Sequence, residues 1–480
     1  MNIKPIKPKL YRGEPVDLKG KPVLVIGLGM SGQSAAELGV HQGAKVTVMD
    51  AKSAEELPEV MQRFAGMNIT YKLRATSVDP TAFQLIVRSP AIDNNHPVLI
   101  AAREAKIHIW SEIELAFRLC PAPVIAVSGT NGKGSVTTLI TRGLKAHGKT
   151  VHLVGNIGTE FASKIPSIKP EDIVVLEVSA AQLQNSPGLA PATGVLTNIN
   201  PEHSNLYDWD EYVRLKGQLL KNNTVDSLTV VSLDDEASSD LAAKTPGRLL
   251  YTSMSGALPA GLDGVFLDDG QVVVRLAGQE QTLFPKERVK ALGALPNTLP
   301  AIAVLLSWGV PLDTVATAIT GFEGREHVTE YVGTHQGVDY YNDAKATNVD
   351  STAHALNAID GRTVVLISGG EDNKGVIFAR LVPGLHDKVH HLITFGPTAD
   401  QLVTFARSAG TPNIDTVADY REAIALAQRV ATPGQTVLFS PGTYSPHLTD
   451  VDGQGRPVDY IGRGVYFKES VRALTAQQEG

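Results

Sequence analysis

The chain has 480 residues, 43% of them apolar and 19% charged, enough to bury about three cores of ~150 residues each. Its formal net charge of -7 argues against a nucleic-acid partner, and the single cysteine, Cys120, excludes an intrachain disulfide and fits a reducing compartment. A polar N-terminal stretch, and no apolar run long enough to span a bilayer, point away from a signal peptide and membrane insertion, so a cytoplasmic protein is expected.

Residues 21–50 read as strand, GLGMSG, helix, strand. Gly27, Gly29 and Gly32 fit G-x-G-x-x-G directly after the strand 22–26, and a second strand ends at Asp50. That is the dinucleotide fingerprint, with an acid near the ribose position. The same geometry serves any nucleotide diphosphate, so NAD and other ligands both remain open here. A strand at 84–87, an RSPAI turn and a helix at 97–105 follow. WSEIELAFRL then reads as a helix ending at Cys120-Pro121, where the first domain boundary is placed.

The stretch 124–139, VIAVSGTNGKGSVTTL, organises the rest of the chain. An apolar strand breaks into a loop with Gly129, Gly132 and Gly134, and Ser135, Thr137 and Thr138 open a helix. Backbone N–H groups at such a turn converge on an anion. Lys133 adds a cation for the outer phosphates, and a following hydroxyl can ligate Mg²⁺. The general phosphate-loop pattern has Gly where this chain has Val127 and Ser or Thr where it has Gly134, so this is a variant loop. Glu177 ends the strand 173–178, and Glu202 and His203 follow the strand 195–199. Beside a phosphate loop such residues are placed to hold Mg²⁺. EYVRLKGQLLK reads as an amphipathic helix bearing Lys216, residues 226–282 as a β-containing excursion, and residues 298–308 as a helix closing the domain.

Near Gly321 the pattern restarts. Strands at VDYYNDAKATN, TVVLISGG, HHLITF and TVLFSPG alternate with helices, which predicts a third, doubly wound domain. Asp343, Lys345 and Lys374 fall at carboxyl ends of its strands, where such sheets bind ligands.

Together, GTNGKG (129–134), GNIG (155–158), LEVSAAQL (176–183), NDAKATNVDST (342–352) and WSEIEL (110–115) resemble the Mur ligase superfamily, most closely its D-glutamate-adding branch. The resemblance implies an α/β protein of three domains. Residues 1–120 would form a Rossmann-like UDP-substrate domain, 121–320 a central ATPase domain with a parallel sheet, and 321–480 a Rossmann-like amino-acid domain. It implies a cytoplasmic, monomeric, ATP-dependent amide ligase of peptidoglycan synthesis that adds D-glutamate to UDP-N-acetylmuramoyl-L-alanine through an acyl phosphate. Its partners would be a UDP-sugar and an amino acid, with no nucleic acid.

By the same resemblance Gly129, Thr130, Asn131, Gly132, Lys133, Gly134, Ser135, Asn156, Asn297, His327 and Asp343 contact ATP. Lys133, His203 and Lys216 are catalytic. Two Mg²⁺ sites draw on Ser135, Glu177, His203 and Lys216, the last carbamylated. The UDP substrate meets Gly29, Ser31, Gly32, Asp50, Ser89, Pro90, Ser179 and Gln182, and the amino acid meets Lys345, Thr347, Lys374, Ser445 and Tyr460. The chain departs from the family pattern in several places. GKGS resembles the folylpolyglutamate synthase loop; Val328 replaces the arginine of a His-Arg pair at 327–328; Pro296 and Pro300 flank Asn297 where the family has His and Asn. Ser204-Asn205 follows His203 without the usual acid, Ala51 replaces a Thr, and residues 446–459 are extra. A related ligase with another acceptor or amino acid, such as L-Glu or a folate, and a non-catalytic homologue therefore stay open.

Overall fold

The computed structural model describes residues 16–361, 363–372, 376–443 and 458–476. Its elements build an α/β protein with three sheet-containing domains. The chain divides into two compact bodies. One takes residues up to 199, 210–285 and 297–319; the other takes 200–209, 286–296 and residues from 320 onward.

The first body holds two sheets. The first contains β1 (Pro22–Ile26), β2 (Lys45–Asp50), β3 (Ile69–Leu73), β4 (Leu85–Arg88) and β5 (His108–Ser111), in the order β3-β2-β1-β4-β5 with every pairing parallel. The inner strands are apolar runs because helices cover both faces of such a sheet. Leu24, Ile26, Met49 and Ile86 pack with Val98 and Leu99 of the helix Pro97–Glu104. The strand order switches sides between β1 and β4, which opens a crevice at their carboxyl ends.

One expected boundary moves. Trp110 and Ser111 belong to β5, and the helix begins at Glu112. The cause is Ser111, whose Oγ accepts from Glu114 N at 3.0 Å as an N-cap. The same segment ties the first sheet to the second. Ser111 N donates to Asn185 O at 2.7 Å, Gly188 N to Glu114, and Ala162 N to Glu112. Burial pushes the Glu112 carboxyl up to about 7, against the lowering effect of the Ala162 N–H.

The second sheet runs through β6 (Val124–Ser128), β7 (Val151–Gly155), β8 (Ile173–Glu177), β9 (Thr193–Leu196), β10 (Leu228–Ser232), β11 (Arg248–Ser253), β12 (Gly264–Asp268), β13 (Gln271–Leu276) and β14 (Gln279–Pro285). Their order is β14-β13-β12-β11-β10-β9-β6-β8-β7. The segment expected as an excursion is instead the continuation of this sheet: β10 pairs in parallel with both β9 and β11. Direction reverses only where tight connections turn β13 and β14 into antiparallel hairpin strands. The closing helix, Leu295–Ser307, starts three residues earlier than expected and carries Pro300 in its interior.

The second body is built on β15 (Glu330–His335), β16 (Val338–Asn342), β17 (Val364–Gly369), β18 (Val389–Phe395), β19 (Asn413–Val417) and β20 (Thr436–Phe439). The order is β15-β16-β20-β17-β18-β19. All pairings are parallel except that of β15 with β16. Apolar layers lie on its two faces, one around Val365, Ile367, Phe439 and Phe467, the other around Leu366, Leu392 and Leu402.

Candidate active site

The phosphate loop joins β6 to the helix Lys133–Ala146. Gly132 caps that helix at φ +82° without a side-chain cap, so the first-turn N–H groups face outward for an anion. Two glycines are obligatory for space. A Cβ on Gly129 would lie 2.0 Å from Thr197 Oγ1, and one on Gly132 would lie 2.1 Å from Asn297 Oδ1.

Side chains from three segments hold the loop. Asn131 N donates to Asn198 Oδ1 at 2.9 Å, and Asn131 O accepts from Thr197 Oγ1 at 2.5 Å and Asn198 Nδ2 at 3.1 Å. Lys133 Nζ folds back on the carbonyls of Gly129 (3.0 Å) and Thr130 (2.8 Å). Lys216, 2% exposed on the helix Trp209–Gly217, donates to Gly129 O at 2.6 Å and lies 5.1 Å from the Tyr212 ring centroid. Tyr212 in turn meets Thr130 Oγ1. Two ammonium groups therefore converge on one loop carbonyl. Thr197 and Asn198 went unnoticed in the sequence, although polar residues just past the apolar β9 were the available signal.

The structure also sorts the hydroxyls. Thr137 Oγ1 donates to Lys133 O and Thr138 Oγ1 to Gly134 O, so both cap their own helix turn. Ser135 is buried in the first turn beside Lys133. Its hydroxyl, displaced one residue by Gly134, is the one those internal bonds leave for a ligand.

GNIG meets Glu177 across the β7–β8 edge. Asn156 N donates to Glu177 O at 2.9 Å and Asn156 Nδ2 to Glu177 Oε1 at 2.8 Å. Gly155, at φ +103°, permits this approach, since a Cβ there would stand 2.2 Å from Glu177 O. Glu177 Oε2 is buried and has no hydrogen-bond partner among the described residues. An oriented carboxyl with one orphaned oxygen fits a hard cation. The described residues gather no group of three or more His, Cys, Asp or Glu for a metal. One carboxylate completed by phosphate and water is the usual Mg²⁺ arrangement.

At the β1–β4 crevice, Gly32 is required because a Cβ would lie 1.8 Å from Gly27 O. Ser89 Oγ lies 3.7 Å from a Cβ built on Gly29. Asp50 serves this loop: Oδ2 accepts from Leu28 N at 2.7 Å and Oδ1 from Lys52 N at 2.9 Å. Arg88, buried and unnoticed in the sequence, donates to Ile92 O, Pro90 O and Gln184 Oε1, linking the Ser89-Pro90 turn to the segment after Gln182. Ser179 and Gln182 form a reciprocal capping box, while Met30, just before Ser31, is exposed.

His203 belongs with the second body. It sits at φ +57°, and its carbonyl accepts from Leu206 N and Tyr207 N. The preceding Glu202 takes a 3.0 Å bond from Asn348 Nδ2, and Asn348 also N-caps the helix Val349–Asn357. Asp343, past β16, is fully surrounded: Oδ1 accepts from Thr329 N at 3.0 Å and Oδ2 from Ser440 Oγ at 2.7 Å. Burial nevertheless pushes its carboxyl up to about 7. Lys345 Nζ lies 5.4 Å from the Tyr460 ring centroid, and Tyr460 meets His327 edge-on. His327 is 4% exposed, with Nδ1 2.9 Å from Asn342 Nδ2. Burial holds its imidazole below the usual range despite Glu326 and Glu330. Thr347 lies two residues beyond Lys345 and is half-buried, whereas Lys374 and Ser445 fall outside the described residues.

Three family matches tile these domains: a MurD-like N-terminal domain over residues 21–111, the Mur ligase middle domain over 127–278, and the Mur ligase glutamate ligase domain over 329–442. The chain belongs to the Mur ligase family. Within it, the chain is most like the UDP-N-acetylmuramoylalanine–D-glutamate ligases. It is 32% identical to that of Alkaliphilus oremlandii, across 96% of this chain and 100% of the relative. It is 35% identical to that of Symbiobacterium thermophilum, across 94% and 98%. In fold it is similar to a pseudomurein peptide ligase type C from Methanothermus fervidus, with TM-score 0.57, 17% identity and coverage of 95% and 100%.

Proposed function

We infer that this chain is an ATP-dependent amide ligase joining D-glutamate to UDP-N-acetylmuramoyl-L-alanine in peptidoglycan precursor synthesis. The observation that carries the reading is the loop held by Lys133 and Lys216 beside the half-satisfied Glu177 carboxyl, in a chain that matches D-glutamate ligases along nearly its whole length.

The chemistry suits these parts. ATP converts the muramoyl-alanine carboxylate to an acyl phosphate, and the incoming amine displaces phosphate to form the amide. Positioning and charge neutralisation carry most of such a reaction. Lys133, now on loop carbonyls, would exchange them for phosphate oxygens. Mg²⁺ supplies charge neutralisation across those oxygens, and Ser135 and Glu177 are the side chains that would hold it. His203 and Lys216 would serve a second cation. Carbamylation of Lys216 would leave one N–H on Nζ, so it is compatible with the bond to Gly129.

The remaining roles follow the domains. Residues 1–120 would bind the UDP substrate through Gly29, Ser31, Gly32, Asp50, Ser89 and Pro90, aided by Ser179 and Gln182. Residues 121–320 would bind ATP, with Asn156 and Asn297 among the contacts, and residues 321–480 would bind the amino acid through Lys345, Thr347, Lys374, Ser445 and Tyr460. Asp343 and His327 would support nucleotide binding. No helix among the described residues is long and apolar enough to cross a membrane, and we propose a cytoplasmic monomer without nucleic-acid partners. The test is phosphate release from ATP with Mg²⁺ and UDP-N-acetylmuramoyl-L-alanine across an amino-acid panel. Release that depends on D-glutamate is expected; release with another amino acid, or none, would reject the assignment.

A further inference from the structure

The segment 325–328, Arg-Glu-His-Val, forms a tight turn. Val328 N donates to Arg325 O at 3.1 Å, His327 takes φ +62°, and Arg325 and Val328 form an isolated antiparallel bridge. Directly opposed residues of such a bridge present their side chains on the same face. A cation at 325 therefore emerges beside position 328.

This turn is stitched to the loop that follows β16. Lys345 N donates to His327 O at 3.1 Å, and Thr329 donates to Asp343 through both its N–H and its hydroxyl. The neighbouring acids Glu326 and Glu330 share one cation instead of Arg325, since Lys468 Nζ lies 2.7 Å from Oε1 of each. Arg325 is half-buried, and among the described residues it makes no side-chain hydrogen bond or ion pair. A half-buried guanidinium with no anion among the described residues, fixed to the Asp343–Lys345 loop, is suited to bidentate capture of a phosphate or carboxylate.

We propose that Arg325 grips a substrate oxyanion at the Asp343–Lys345 loop, supplying the guanidinium that Val328 cannot. The inference rests on the ligase reading for the identity of that substrate: a phosphate of ATP or a carboxylate of the incoming amino acid. Calorimetry on the full chain, with Mg-ATP and with D-glutamate in the presence of UDP-N-acetylmuramoyl-L-alanine, tests it without relying on turnover. Arg325→Ala should weaken one of the two ligands roughly tenfold or more, as expected for loss of a charge-assisted contact, and which ligand weakens names the source. Arg325→Lys should recover only part of the loss because it lacks the planar fork, and Arg325→Ala combined with Val328→Arg should recover most of it. Both affinities within twofold of wild type in Arg325→Ala would overturn the proposal. So would a loss of both ligands that tracks a lowered melting temperature and that neither rescue variant repairs. Wild-type protein that binds Mg-ATP but does not turn over D-glutamate would sink the ligase reading, while the ATP arm still decides the role of Arg325.

Discussion

Replacing Glu177 by Gln should make the ligand-free protein more stable while disabling it. In the folded chain Oε1 is satisfied by Asn156 at 2.8 Å, whereas Oε2 is buried without a donor among the described residues. A buried polar atom left without a partner costs about 1–3 kcal/mol, more when the group carries charge. Gln keeps an oxygen for Asn156 and places a neutral NH2 where Oε2 stood, so only the part of the cost due to charge, about 1 kcal/mol, should be recovered. In a domain of this size each kcal/mol corresponds to about 2–4 °C. Thermal unfolding without ATP or Mg²⁺ should therefore show the first body melting a few degrees higher in Glu177→Gln. Phosphate release should fall about 10²-fold or more, as for loss of one electrostatic contact in phosphoryl transfer, and additional Mg²⁺ should restore part of it. A variant that melts lower than wild type and retains the wild-type Mg²⁺ dependence would refute this account of the orphaned oxygen.

Lys133→Ala should reduce turnover about 10²-fold or more and leave affinity for UDP-N-acetylmuramoyl-L-alanine within twofold by calorimetry; loss of both together would contradict the separate domain roles. Gly129→Ala adds a Cβ 2.0 Å from Thr197 Oγ1 at φ +142°, a strain of about 1–3 kcal/mol, so nucleotide-induced thermal stabilisation should largely disappear. Glu112, raised by burial from 4.5 to about 7, holds its proton longer folded than unfolded. Its contribution is complete below pH 4.5 and declines, by at most about 1.4 kcal/mol per pH unit, until about pH 7. Glu112→Gln should flatten the fall in stability measured between pH 5 and 7; an unchanged slope would assign it elsewhere, with Asp343 the other carboxyl raised to about 7.

Local chemistry made much of the fold legible. The apolar run 124–127, the glycines after it and Lys133 specify a strand, a turn and a helix start within one short stretch, and the first strand, Pro22–Ile26, has the bounds the sequence implied. Features that depend on distant partners were not legible. Ser111 looks like an ordinary position in an amphipathic run until its hydroxyl is seen capping the helix. The hairpin character of residues 264–285 hid the parallel pairing of β10 with β9 and β11. At the site, the sequence offered Glu177 and Lys216 as charges. Only the packing shows that one Glu177 oxygen is held while the other is orphaned, and that Lys216 shares the Gly129 carbonyl with Lys133. Asp50 likewise reads as a ribose acid, yet both its oxygens take backbone N–H groups of its own loops.

The mass of the product shows which amino acid the chain adds. The full chain would be incubated with UDP-N-acetylmuramoyl-L-alanine, ATP, Mg²⁺ and either D- or L-glutamate. A UDP-muramoyl species heavier by one glutamyl residue is expected, formed only with D-glutamate and matched by an equal amount of ADP. ADP formation without that species, or an equal yield from L-glutamate, would contradict it.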